Sequence, residues 1–243
     1  MRDFEPKKMK AITFTGIRRV LEKATQMEAA GQSIVHFEIG QPDFVTPQYI
    51  RDAACASLQK GNTRYTSNYG TMALRKAIAE KLERENNIHA DPDGEIMVTV
   101  GGEEAMAAAI LALVDAGDEV ILSDPGYSPY DSIVNIANAV PVYVPLREDT
   151  NWSFDLEALE RSITPRSTLL MLTSPSNPTG TMMDRESLER LAEICVKHDL
   201  VVIADEAYER VLYDGNIHVS IASLPGMWER TVTIQSFSKS YSM

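Results

Sequence analysis

The sequence predicts an α/β protein: a mostly parallel sheet covered by helices. Three observations carry this expectation. From Glu95 onward short β-rich runs alternate with helical stretches; the runs are apolar on both faces; and no Pro/Gly/Ser-rich linker separates two complete domains. Strands that bury both faces need helices above and below them, and alternating units supply those helices as crossovers. With 243 residues, 44% of them hydrophobic, the chain can bury a core without disulfides or structural metal.

Before residue 46 the pattern is a helix followed by an extended segment. Ile17, Val20, Leu21, Ala24 and Met27 recur at helical spacing, Gly31 can stop the helix, and residues 34–39 read as extended up to a Gly40-Gln41-Pro42-Asp43 turn. A second helix is expected over 71–87, with Leu74, Ala77, Ile78 and Leu82 on one face. The strand candidates are 96–100, 119–122, 140–144, 168–172, 201–204 and 231–235. Helical patterns lie between them near 103–116, 128–138, 155–162, 185–198 and 206–212, with Asp155 and Asp184 placed as N-caps. A boundary near Gln41–Pro47 divides an N-terminal piece, 1–45, too short to fold alone, from a main domain, 46–243.

Charge and composition exclude several functions. Lys and Arg number 23 against 35 Asp and Glu, a net charge of −12, which opposes general binding to a nucleic-acid backbone. The longest apolar run, Ala105–Val114, is too short to cross a hydrocarbon core of about 30 Å, so no membrane span is expected. Met1–Lys10 is polar, without a secretory pattern, and Cys55 and Cys195 lie far apart, the usage of a reducing cytoplasm. His36, His89, His198 and His218 have no metal-ligand spacing, so no metal site is expected.

In parallel sheets ligands sit beyond the carboxyl ends of the strands, so the residues that follow each strand are the ones to weigh. Gly101-Gly102-Glu103 opens a helix, whose free N–H groups favour an anion; the two adjacent glutamates leave that contact to backbone amides. Ser123-Asp124-Pro125-Gly126 projects Tyr127, a ring able to stack on a flat ligand. The loop Thr173–Gly180 is stiffened by two prolines and carries Asn177. Asp205 ends an apolar strand, where a buried acid needs a cation or donors, and Tyr208 shares its face if Glu206 starts a helical turn. Ser236-Phe237-Ser238-Lys239 follows the last strand and places an amine at the same sheet edge, where partial desolvation favours a nucleophile.

These groups together match the needs of pyridoxal phosphate: an amine for its aldehyde, an acid for its ring nitrogen, donors for its ring oxygen, a flat neighbour and amides for its phosphate. The spacing adds specificity, since Asp205 follows Asn177-Pro178-Thr179-Gly180 by 28 residues from the Asn and precedes Lys239 by 34. In this order of motifs the chain resembles the class I/II aminotransferases, fold-type I pyridoxal phosphate enzymes related to aspartate aminotransferase. The resemblance implies Lys239 as the Schiff-base lysine, Asp205 as partner of the ring nitrogen, and Asn177 and Tyr208 as donors to the ring oxygen. It implies Tyr127 stacked on the cofactor, Gly102, Glu103 and Ser236 at the phosphate, and Tyr65 reaching the phosphate of a neighbouring subunit in a homodimer. Gly40, in Ile39-Gly40-Gln41-Pro42, matches a backbone contact to the substrate carboxylate. The implied activity is ping-pong transfer of an amino group between an amino acid and a 2-oxo acid.

The sequence given stops at Met243. The resemblance implies a following strand with a phosphate-binding arginine, lying between the strands at 231–235 and 96–100, and later segments with a substrate-carboxylate arginine. The expectation is an N-terminal fragment with an incomplete large domain and little activity in isolation. A β-lyase or cyclopropane-forming lyase uses the same lysine and aspartate and stays open as an alternative. Two rivals fit less well: the Ser-x-x-Lys of penicillin-binding enzymes needs Ser-Asp-Asn and Lys-Thr-Gly elements that do not occur here, and a transcription-regulator sensor domain follows a basic helix-turn-helix module for which no pattern precedes residue 46.

Overall fold

The computed structural model describes residues 16–243 together with Pro6, Met9 and Ile12. Helix α1, Gly16–Ala29, buries only Ala24, and the chain leaves it through Gly31 at φ +87°. Residues 34–39, expected as extended, form no strand; Val35 and Phe37 face solvent, and the segment is held to α1 by His36, which bonds Glu38 at 2.5 Å and Glu28 at 2.9 Å.

Helix α2, Gln48–Gln59, is not among the expected helices although Ile50, Ala53, Ala54 and Leu58 recur at helical spacing; none of its residues is buried, and Pro47 precedes its first turn. Helix α3, Met72–Asn86, has Thr71 as N-cap and ends at Asn87 in the left-handed region, φ 54°. Helix α4, Gly101–Leu113, is followed by β1, Glu119–Asp124, then α5, Pro129–Ile136, and β2, Val140–Arg147. A short turn leads to β3, Ser153–Phe154, α6, Leu156–Ser162, β4, Ser167–Thr173, α7, Arg185–Lys197, and β5, Val201–Asp205. The described chain closes with β6, Thr231–Ile234, and a single turn, α8, Phe237–Ser240. Both expected caps form: Asp155 accepts from the Ala158 N–H at 2.9 Å and Asp184 from the Ser187 N–H at 2.7 Å.

The sheet order is β3-β2-β1-β4-β5-β6, parallel throughout except for the antiparallel β2–β3 pair. Alternation along each strand splits the core into two layers. Ile121, Leu170, Leu172, Val202 and Ala204 pack against α6 and α7 through Leu156, Leu159, Leu188 and Leu191. Val120, Leu122, Leu169, Met171 and Ile203 pack on the other face against Met106, Ile110, Tyr130, Ile133 and Val134 of α4 and α5. Each such fully buried aliphatic side chain contributes about 1.5–3 kcal/mol. Because β1 has β2 on one side and β4 on the other, the chain reverses direction across the sheet there, which opens a crevice beyond their carboxyl ends.

Two expectations fail. Residues 96–100 do not join the sheet: among the described residues no strand lies beside them, and the Val98 N–H is met instead by the Tyr69 carbonyl at 3.1 Å. Residues 206–212 form turns rather than a helix: the Glu209 N–H bonds the Glu206 carbonyl at 3.0 Å and the Val211 N–H the Tyr208 carbonyl at 2.8 Å, separate i−3 bonds, while the Glu206 N–H meets the Ile234 carbonyl at 2.8 Å and extends the β5–β6 pairing past the last strand residue.

Candidate functional site

The parallel strands β1, β4, β5 and β6 end at one edge of the sheet, and each hands the chain to a segment singled out above. Asp205 is register partner of Thr173 on β4 and of Ile234 on β6. That places its side chain at the strand ends, in a position that is only 7% exposed. The carboxylate is held on both oxygens: the Tyr130 hydroxyl donates to Oδ2 at 2.7 Å and the Ala207 N–H to Oδ1 at 3.1 Å. Burial pushes the Asp205 carboxyl above its ordinary value; the bonds from Tyr130 and Ala207 pull it down, and the neighbouring Glu206 charge adds to the rise.

Tyr127 stands at the turn after β1. A Cβ at Gly126 would meet the Ser123 carbonyl oxygen at 2.5 Å, so this turn requires glycine. The Tyr127 ring meets Tyr130 edge-on, centroids 5.3 Å apart, and its hydroxyl donates to Glu103 at 2.9 Å. Burial and the Glu103 carboxylate push the Tyr127 phenol upward, so it stays protonated. Glu103 is thus turned toward Tyr127, and Glu104 accepts from the Val100 N–H. With those carboxylates committed, what the start of α4 presents near Gly102 is its first-turn N–H groups, which have no acceptor within the helix. Gly101, at φ +80° with open space where a Cβ would stand, allows close approach.

The β6 exit supplies the amine. Ser236 caps α8, accepting from the Ser238 N–H at 3.2 Å. Lys239 Nζ donates to the Gly40 carbonyl at 2.5 Å and lies 5.5 Å from the centre of the Tyr208 ring. Tyr208 arrives there on a turn, with its hydroxyl 3.8 Å from where a Cβ on Gly40 would stand. Asn177 is half-buried in the loop after β4, which is closed by bonds between Ser176 and Thr181 and between Gly180 and Ser176, and joined to Asp205 through the Ser174 N–H at 3.2 Å. Tyr65 is fully exposed between α2 and α3 and is not brought to this edge.

Sequence reasoning missed the residues behind the site. Tyr130 and Thr173 were within reach: Tyr130 follows Tyr127 by three residues in a first helical turn, and Thr173 ends a strand beside Asp205. The polar cluster beneath the Asp205 turn was not, because its members come from distant segments. Lys81 of α3 pairs with Glu209 and donates to Asn86 and Gln235, each at 2.8 Å. The Asn86 and Gln235 amides donate to Glu206 and Glu209, and Ser220 donates to Glu206 at 2.8 Å. Glu206, Glu209 and His218 bring ligand-type atoms within 4.8 Å of one another, a grouping that spacing did not reveal, and the ammonium of Lys81 already supplies positive charge there.

The family model for aminotransferase class I and II matches residues 32–243. The chain is 41% identical over 223 residues to an aspartate aminotransferase of Pyrococcus abyssi, covering 92% of this chain and 57% of that protein. It is 42% identical to a bifunctional aspartate aminotransferase and glutamate/aspartate-prephenate aminotransferase of Petunia hybrida, covering 92% and 47%. Among solved structures, aspartate aminotransferase from Thermus thermophilus with maleate superposes with a TM-score of 0.94 at 36% identity, over 100% of this chain and 62% of that one. The chain therefore spans about half to 60% of the length of these relatives.

Proposed function

Since the chain belongs to the class I and II aminotransferases, we propose that it is the site-bearing part of a pyridoxal phosphate-dependent transaminase, with Lys239 as the lysine that carries the cofactor. One observation carries this reading more than any other: Lys239 and Asp205, 34 residues apart in sequence, leave adjacent parallel strands at the same sheet edge, with Tyr208 between them in the chain and beside the amine.

The donor set fits the cofactor. It comprises a primary amine whose one described partner is a carbonyl, a buried carboxylate with two donors, half-buried Asn177 and Tyr208 as hydrogen-bonding groups, and a glycine-led helix start with unfilled space. Lys239 would hold its aldehyde carbon, Asp205 its ring nitrogen, Asn177 and Tyr208 its ring oxygen, Tyr127 one ring face, and Gly102, the Glu103 N–H and Ser236 its phosphate. When bound, the group supplies a carbonyl for the amine and a ring that accepts electrons from the substrate Cα.

The chain's own residues do the rest. Asp205, desolvated among Tyr130, Ala207 and Glu206, gains a cationic partner when the ring nitrogen holds a proton, which relieves the cost of burying its charge. Lys239 Nζ would be the base that takes the substrate Cα proton and returns it. The Gly40 N–H, on the segment whose carbonyl already accepts from Lys239, would orient the substrate carboxylate. Two half-reactions through one site make the kinetics ping-pong, from an amino acid to a 2-oxo acid. The names of the relatives make aspartate the first donor to try.

The division into 1–45 and 46–243 belongs to the same proposal. Ala24 is the one buried residue among the described residues before 46, which supports an N-terminal piece packed on the outside. Tyr65, exposed in one chain, supports a homodimer in which it serves the partner's phosphate. Among the described residues no helix is long and apolar enough to cross a membrane, and the free cysteines Cys55 and Cys195 support a cytoplasmic setting.

The test is absorption after addition of pyridoxal phosphate, borohydride reduction and peptide mapping. A reduced adduct on Lys239 is expected. An adduct only on other lysines, or none, overturns the assignment. Aspartate consumed with formation of a 2-oxo acid distinguishes transamination from a lyase reaction.

A further inference from the structure

We propose that Tyr130 is the positioning residue of Asp205, with Thr173 behind it: two hydroxyls in series hold Asp205 as an oriented carboxylate at the sheet edge. The inference rests on the reading of Asp205 as partner of a ring nitrogen, which gives that orientation a purpose.

The bonds run one way. The Tyr130 hydroxyl has a single proton, donated to Asp205 Oδ2 at 2.7 Å. Its other neighbour, Thr173 Oγ1 at 2.8 Å, is therefore the donor to Tyr130. Asp205 Oδ1 receives a backbone N–H from Ala207. Both carboxylate oxygens are thus met by donors, an arrangement that suits the ionised form and leaves one lone pair on each oxygen for a ligand. A neutral carboxyl would have to carry its proton on one of those two remaining lone pairs, which would then no longer accept from a ligand.

Packing alone does not call for the Tyr130 hydroxyl. Its ring fills the layer with Met106, Ile133 and Val134 and meets Tyr127 edge-on, and phenylalanine would do the same. The hydroxyl instead faces a group that burial pushes toward neutrality and that the adjacent Glu206 charge pushes further. Tyr127, whose phenol senses the Asp205 charge, is itself pushed upward and carries no charge.

The test reads Asp205 directly. In the full 243-residue chain with ¹³C-carboxyl-labelled aspartate, no added cofactor and Asp205→Asn to assign the resonance, the titration midpoint of Asp205 is followed by NMR. Tyr130→Phe is expected to move it upward, with the protonation constant changing about tenfold, the factor carried by one hydrogen bond to an ionised group. Thr173→Val is expected to move it the same way by less, and Thr173→Ser to restore it, a rescue that a purely packing role does not produce. Unchanged midpoints in Tyr130→Phe overturn the proposal; should that variant fail to fold, an unchanged midpoint in Thr173→Val overturns it equally. A second arm measures pyridoxal phosphate affinity. Weakening of about tenfold in Tyr130→Phe, with the borohydride adduct still on Lys239, is expected. If the midpoint moves but wild type takes up no cofactor, the positioning role stands and the cofactor reading falls. If wild type forms the adduct and neither variant changes midpoint or affinity, the cofactor reading stands and the positioning role falls.

Discussion

The ε-amino group of Lys239 lies 2.5 Å from the carbonyl oxygen of Gly40, a contact that spans 199 residues of sequence. It brings the segment after α1, which is mostly exposed, to the end of the last strand. Thr46 reinforces the junction by donating to the Ser242 carbonyl. The amine is therefore met by a backbone acceptor from a segment far from it in sequence.

Lys239→Met is expected to leave unfolding free energy within about 1 kcal/mol of wild type, because the side chain is half-buried and its one described polar partner is a carbonyl that water can reach. The same variant is expected to form no reducible adduct with pyridoxal phosphate. Denaturant unfolding and borohydride trapping check the two halves, and a full yield of adduct in the variant would sink the assignment of Lys239.

Asp205→Asn separates stability from function through pH. Burial raises the folded-state value of this carboxyl above that of the unfolded chain, so the folded state binds the proton more tightly. The stability linked to that proton is fully present below the unfolded value near 3.9 and is lost as pH rises through the raised folded value. Asp205→Asn removes this loss, so its advantage over wild type is expected to grow with pH across that window and persist at neutrality. Paired unfolding curves from pH 3 to 8 check the sign; an advantage that shrinks as pH rises contradicts it.

Lys81→Met leaves Glu209, and through the shared amides Glu206, without the lysine ammonium in a site where their side chains are 11% and 3% exposed. Breaking one side of such a pair costs about 3 kcal/mol, the low end for buried pairs because Lys81 keeps some solvent contact. For a chain of this size that corresponds to roughly 6–12 °C in Tm. Calorimetry decides, and a shift of under about 2 °C would mean the cluster is more hydrated than its packing indicates.

Gly126→Ala puts a methyl group on the Ser123 carbonyl oxygen, backbone that a rotamer change cannot move. A destabilisation of about 1–3 kcal/mol is expected. Because this turn aims Tyr127, the Tyr127–Glu103 bond is expected to weaken as well, which appears as altered tyrosine absorption in a pH titration.

The alternation of Ile121 with Val120 and Leu122, or of Val202 with Ile203, was legible because strands covered on both faces need apolar residues at every position. Asp155 and Asp184 were legible as caps because a cap bonds only three residues ahead. Residues 96–100 misled for the opposite reason: apolar β-branched composition permits a strand, but a strand exists only with a neighbour to pair. Helix α2 escaped although Ile50, Ala53, Ala54 and Leu58 form a stripe, because that stripe is short, half alanine, and meets no core among the described residues.

By itself the sequence determined which side chains end the parallel strands, since hydrophobic run length and the polar residue that follows are local properties. That was enough to nominate Asp205, Lys239, Asn177 and Tyr127 together. Only the tertiary structure decided what surrounds them: Tyr130 and Thr173 on Asp205, Gly40 on Lys239, Lys81 and Asn86 beneath the turn. Those partners come from elements up to 199 residues apart, and hydrogen bonds act over about 3 Å in space with no regard for separation along the chain.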